Sequence, residues 1–321
     1  MIYLQFIGGV VVLLAAAELF VRGAVSLSKM LNVPPLVIGM TVVAFGTSAP
    51  ELGVTLDAAL SGAPGLALGN VIGSNIANVL LILGASCLLS PIKSAGASRR
   101  DAIVLVGGSL LFALFVAQGQ LGFWSGAALL AAFLAFLGAT YRLETRDDNL
   151  AAEHILEVEE ISLIKAPVWV TVLTVLAGMA GIIWGAELLV EACIEIAREY
   201  KISEEIIGLT VVAFGTSLPE LAASGVAAYR GHSDIAVGNV VGSNLFNILG
   251  VIGLAAVVSP LPVMGNIISF DLWVMLGATV LVLPILAGRW HPGRLSGIFF
   301  LLLYGAYITT NAISAGLLSI G

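Results

Sequence analysis

Gly46-Thr47-Ser48-Ala49-Pro50-Glu51 returns 169 positions later as Gly215-Thr216-Ser217-Leu218-Pro219-Glu220, and both copies lie in runs apolar enough for a lipid bilayer. A charged side chain at bilayer depth costs roughly 2.5 to 3.5 kcal/mol on insertion scales, so an intramembrane glutamate reads first as functional and only then as structural. This chain keeps two, related by a duplication.

Outward from these motifs the repeat continues. Between 38–52 and 207–221, thirteen of fifteen residues are identical without a gap, and between 69–84 and 238–253, nine of sixteen. With 59% hydrophobic and 10% charged residues, the chain falls in the membrane class. Stretches long enough for helices of about 20 residues fall at roughly 2–30, 36–60, 68–90, 101–118, 121–141, 167–197, 205–229, 236–258, 267–288 and 295–315. The expected fold is therefore an all-α membrane protein of ten transmembrane helices in two five-helix repeats, 1–141 and 167–321. Five is odd, so the second copy enters the membrane from the opposite side and the repeats are inverted. The start is not a signal peptide: it has no basic leader, and Ala17-Glu18-Leu19 returns as Ala186-Glu187-Leu188.

The segment 142–166 holds seven of the 20 acidic residues and reads as a linker, with a short amphipathic helix expected over 153–161. Because of that concentration, the net charge of -7 says nothing about partners, and no nucleic-acid surface is implied. Lys29, Lys93, Arg99, Arg100, Arg142, Arg146, Lys165, Arg230, Arg289 and Arg294 follow odd-numbered spans, against Arg198 and Lys201 on the other side. The positive-inside rule then makes the linker cytoplasmic and puts both termini outside the cell membrane.

Pro50 has no N–H and its ring crowds the carbonyl four residues back, so the second span should break there. Broken helices at membrane depth persist where the freed backbone faces protein or a water-lined cavity, and unwound carbonyls attract cations. The spacing of Ala44, Thr47, Ser48 and Glu51 offers a carbonyl, two hydroxyls and a carboxylate, and Ala213, Thr216, Ser217 and Glu220 repeat it. The next span carries Asn70, Ser74, Asn75 and Asn78, repeated as Asn239, Ser243, Asn244 and Asn247, with Gly69 and Gly73 spaced for close helix contact. All these ligands are oxygens, which suits a hard cation such as Ca²⁺ or Na⁺. His154, His232 and His291 lie in loops and Cys87 and Cys193 lie outside the set, which disfavours zinc, copper or iron. Two ionised glutamates match one Ca²⁺ or two Na⁺, and protons should compete for the same oxygens.

Alone, a kinking proline or a lone serine would be packing. Together and duplicated they point to ion binding. An intramembrane hydrolase on Ser48 or Ser217 would need a His or Lys at that depth to activate the hydroxyl, and none is present, so no enzyme is expected. Paired full charges bind tightly and favour a carrier over a channel. Glu18 and Glu187 read as interfacial or helix-pairing groups, and Asp57, whose counterpart is Val226, as facing an entrance or solvent.

The paired Gly-Thr-Ser-x-Pro-Glu and Gly-Asn-Val-x-Gly-Ser-Asn segments resemble the two repeats of the sodium/calcium exchanger family, over essentially the whole chain. The resemblance implies Glu51 and Glu220 as the calcium carboxylates. Thr47, Ser48, Ser74, Asn78, Thr216, Ser217, Ser243 and Asn247, with the carbonyls of Ala44 and Ala213, would complete the calcium and sodium sites. It further implies a monomeric antiporter without cofactors, exchanging Na⁺ for Ca²⁺ by alternating access and exporting Ca²⁺, its two long helices sliding across a rigid core. Potassium-dependent relatives carry Asp where Asn247 stands, which argues against potassium. Proton/calcium exchangers carry Gly-Asn-x-x-Glu where this chain has Gly-Ser-Asn, which favours sodium. A proton-coupled antiporter of calcium or another divalent cation on the same fold is the alternative.

Overall fold

Prolines mark where the helices of this chain begin. In the computed structural model, which describes residues 2–92, 99–144, 167–200, 213–263, 265 and 270–314, Pro35, Pro50, Pro64 and Pro219 each stand in the first turn of a helix. There the missing N–H has no intrahelical partner to lose. The elements are α1 (Ile2–Leu31), α2 (Pro35–Thr47), α3 (Ala49–Leu60), α4 (Pro64–Leu89), α5 (Arg99–Ala117), α6 (Phe123–Glu144), α7 (Val168–Glu199), the single turn α8 (Ala213–Gly215), α9 (Leu218–Tyr229), α10 (Ser233–Val258), α11 (Leu272–Leu286) and α12 (Arg294–Ser314). A two-residue antiparallel ladder, β1 (Gln120–Leu121) with β2 (Leu261–Pro262), is the one sheet among the described residues.

Seven of these helices are long and apolar enough to cross a membrane, and α2 with α3 makes an eighth span, bent by 48°. The α11 helix is apolar but shorter. Part of the expected span at 205–229 and the linker helix over 153–161 lie outside the described residues. The protein is thus a mostly helical, multi-pass membrane protein. The α4 and α10 spans are 78% and 89% buried against 11–33% for the other five, so they form its centre.

Two close seams organise the packing. Along α1 and α7, Gly9 faces Leu189, Leu13 faces Gly185, Phe20 faces Gly178 and Gly23 faces Val175. Numbers rising on one helix as they fall on the other make the pair antiparallel. A Cβ on Gly178 would stand 2.7 Å from the Phe20 nitrogen, so the backbones touch. The second seam joins α2 to α10, where a Cβ on Gly238 or Gly242 would collide with the carbonyls of Leu36 or Met40. The contact expected at Gly69 and Gly73 would fall, by the 169-residue offset, against 205–209, which lies outside the described residues.

The duplication persists in the backbone. Gly62 and Gly231, 169 apart, close α3 and α9 with φ of +74° and +82°, the left-handed conformation glycine adopts without strain. Behind each, the amides of Ala63 and His232 donate to the carbonyls of Ala58 and Ala227, both at 2.8 Å.

Candidate ion-binding site

The span breaks where Pro50 dictates. Ser48 leaves the helical conformation at φ -87°, ψ 12°, its amide donating to the Ala44 carbonyl at 3.0 Å, and α3 starts anew. The second half repeats this at Ser217, φ -87° and ψ 0°, ahead of α9. Each break puts a glutamate, Glu51 or Glu220, in the first turn of a helix. The N-terminal end of a helix carries unpaired N–H groups and a partial positive charge, so it favours a carboxylate.

Both glutamates are 1% exposed. Thr47, Ser48, Ser74, Asn78, Ser217, Ser243 and Asn247 are buried as well, and Thr216 is half-buried. Ser48 links the halves: its hydroxyl donates to Glu220 Oε1 at 2.7 Å and stands 2.9 Å from Ser243 Oγ, from which it can accept. Thr47 Oγ1 lies 3.2 Å from Asn239 Oδ1 and 3.4 Å from the Ala44 carbonyl. Asn78 donates its amide to Asn244 Oδ1 at 2.9 Å. Ala213 begins the α8 turn, and its side chain is outside the description.

Several buried polar atoms here lack a partner among the described residues: Glu51 Oε2, Glu220 Oε2 and both polar atoms of Asn247. An unpaired buried polar group typically costs 1–3 kcal/mol, and more when charged, so such groups are rare unless something binds them. Here Glu51 stands in the first turn of α3, Glu220 in that of α9, and Asn247 in the central span α10. Among the described residues no cluster of three or more His, Cys, Asp or Glu exists, so the oxygen donors are two carboxylates plus hydroxyls and amides, a set for hard cations.

The structure also enlists Thr55 and Ser224, which stand outside the two motifs. Asn70 donates to Thr55 Oγ1 at 3.0 Å and to the Glu51 carbonyl at 3.3 Å, and its counterpart Asn239 donates to Ser224 Oγ at 2.8 Å. Thr55 and Ser224 each lie one helical turn beyond a glutamate and share the 169-residue offset, which is the signal that could have found them. The amide pairing is not symmetric. The counterpart of the Asn78–Asn244 bond would join Asn247 to Asn75, yet Asn75 donates to its own Val71 carbonyl at 2.8 Å and its Oδ1 has no partner.

Outside this centre, Glu18 pairs with Arg22 one turn along α1 and with Arg230 on the turn after α9. Asp57 is exposed.

Residues 1–142 and 170–312 match the sodium/calcium exchanger protein family. The chain belongs to that family. The exchanger is 31% identical to the sodium/calcium exchanger MaX1 of Methanosarcina acetivorans, covering 95% of this chain and 97% of that one. It is 35% identical to the inner membrane protein YrbG of Escherichia coli, over 95% and 94%. Its backbone follows the sodium-calcium exchanger NCX_Mj, solved after soaking in Na⁺ and Sr²⁺, with a TM-score of 0.81 at 32% identity over 96% and 99% of the two chains. The chain is thus a membrane cation/Ca²⁺ exchanger, a transporter by family.

Proposed function

We propose that this exchanger moves Na⁺ against Ca²⁺ by alternating access in the cell membrane, carrying Ca²⁺ out of the cytoplasm as a monomer. The observation that carries the reading is the pair Glu51 and Glu220, each buried with one carboxylate oxygen unpaired among the described residues, and Ser48, three residues before Glu51, bonded to Glu220 across the halves. Two negative charges suit one Ca²⁺ or two Na⁺ in turn, which makes the ions compete. Thr47, Ser48, Ser74, Asn78, Thr216, Ser217, Ser243, Asn247 and the carbonyls of Ala44 and Ala213 supply the remaining oxygens.

The same reading takes 1–141 and 167–321 as inverted five-helix repeats, ten spans in all, with 142–166 as a cytoplasmic linker and both termini outside. The antiparallel α1–α7 seam and the recurring 169-residue offset support it. Sodium is favoured because Gly-Ser-Asn, and not Gly-Asn-x-x-Glu, follows each repeat motif.

Purified protein reconstituted in vesicles, with Na⁺, K⁺, H⁺ and Ca²⁺ gradients imposed independently, tests this. Calcium uptake driven by an outward Na⁺ gradient is expected. Uptake that answers only to a pH gradient would replace it with proton-coupled exchange.

A further inference from the structure

Asn239 is fully buried in α10 and belongs to neither the carboxylate pair nor its hydroxyls. Its two polar atoms have different tasks. The amide nitrogen donates to Ser224 Oγ at 2.8 Å, one turn beyond Glu220, and Oδ1 faces Thr47 Oγ1 of the other half at 3.2 Å. The counterpart is turned the same way: Asn70 directs its nitrogen to the Glu51 carbonyl, which can only accept.

A threonine hydroxyl has one proton and two lone pairs, and it binds a cation only through a lone pair. The proton must therefore be given away from the ion. Within a helix its default acceptor is a carbonyl one turn back, here Ala44 O, at 3.4 Å from Thr47 Oγ1. Asn239 Oδ1 is the closer of these two, and the Glu220 carboxylate, which the Thr47 hydroxyl also reaches, is itself an ion ligand in the proposed function. Taking the proton, it leaves the Thr47 lone pairs free and spares the Ala44 carbonyl, which otherwise accepts only the Ser48 amide among the described residues.

We propose that Asn239 is a positioning residue for cation binding: by accepting the Thr47 hydroxyl proton across the two halves, it presents both Thr47 Oγ1 and the Ala44 carbonyl to the ion. This rests on the proposed function, in which those two oxygens are ligands.

A double-mutant cycle in reconstituted vesicles tests it. Asn239→Leu should raise the half-saturating Ca²⁺ concentration on the order of tenfold, the loss of one well-placed hydrogen bond, with little change in maximal flux. In a Thr47→Val background the same substitution should add almost nothing. Asn239→Ala serves the cycle equally if leucine prevents folding. If the two losses multiply, or if Asn239→Leu lowers melting temperature and maximal flux without touching half-saturation, Asn239 is a packing residue and the inference fails while the exchange function stands. A wild-type protein with no gradient-driven Ca²⁺ flux would instead remove the function itself.

Discussion

Arg230 holds Glu18 by two contacts, Nε to Oε2 at 2.9 Å and a terminal guanidinium nitrogen to Oε1 at 2.7 Å. It thereby ties the turn after α9 to α1, 212 positions away in the chain. Arg22 adds a third contact from one helical turn further along α1, at 2.6 Å. The group is 25–40% exposed, so solvent weakens it. Arg230→Gln should cost at most about 1 kcal/mol, less as salt is raised. Glu187→Gln should cost nothing measurable: Glu191 stands where Arg22 would be, Ser61 where Arg230 would be, and no ion pair holds Glu187 among the described residues. Melting curves in detergent at low and high salt check both.

Glu51→Gln and Glu220→Gln should each bring calcium flux to background while leaving a folded, helical protein, because glutamine keeps the shape and removes the charge that draws a divalent ion from water. Acid should raise the half-saturating Ca²⁺ concentration, since protons take the same oxygens, and added calcium should relieve it. Radioactive calcium uptake, with circular dichroism for the fold, decides. Exchange retained in both variants would defeat the site.

Gly242→Ala should destabilise the protein by about 1–3 kcal/mol, because its Cβ would be driven into the Met40 backbone, which cannot move aside like a side chain. Thermal melting of this variant beside the wild type measures the loss.

His232 gives stability its own pH dependence. Burial first, and the charge of Lys29 second, push its imidazole down from 6.5 to about 4. Between those values the unfolded chain binds the proton and the folded chain does not, so stability falls as pH drops from about 6.5 to about 4 and then levels off. His232→Gln should flatten that part of the curve, read as melting temperature against pH relative to wild type.

Much of the fold was legible because its signals are local and strong. Apolar runs mark spans, Pro50 and Pro219 mark breaks, and Glu51 and Glu220 stand out because a charge inside a membrane is rare. The side-chain partners were harder to read: only the 169-residue offset shared by Thr55 and Ser224 marks any of them. Asn70 with Thr55, Asn239 with Ser224, and Glu18 with Arg230 are short polar or charged residues of a kind that usually bonds its own backbone or water. That Gly238 and Gly242 pack on α2 depended on where α2 lies, which no periodicity encodes.

The lone Asn78–Asn244 bond has a consequence for how the protein rests. A body made of two like halves could make that bond on either side, and here it is made on one, leaving Asn247 and Asn75 Oδ1 vacant. In the alternating access proposed above, trading the bond from one side to the other keeps the total unchanged, so neither pose gains from it. What tips the balance must come from features the duplication no longer shares, and the grip of Arg230 on Glu18, with only Ser61 at the mirrored position, is one such weight on the scale.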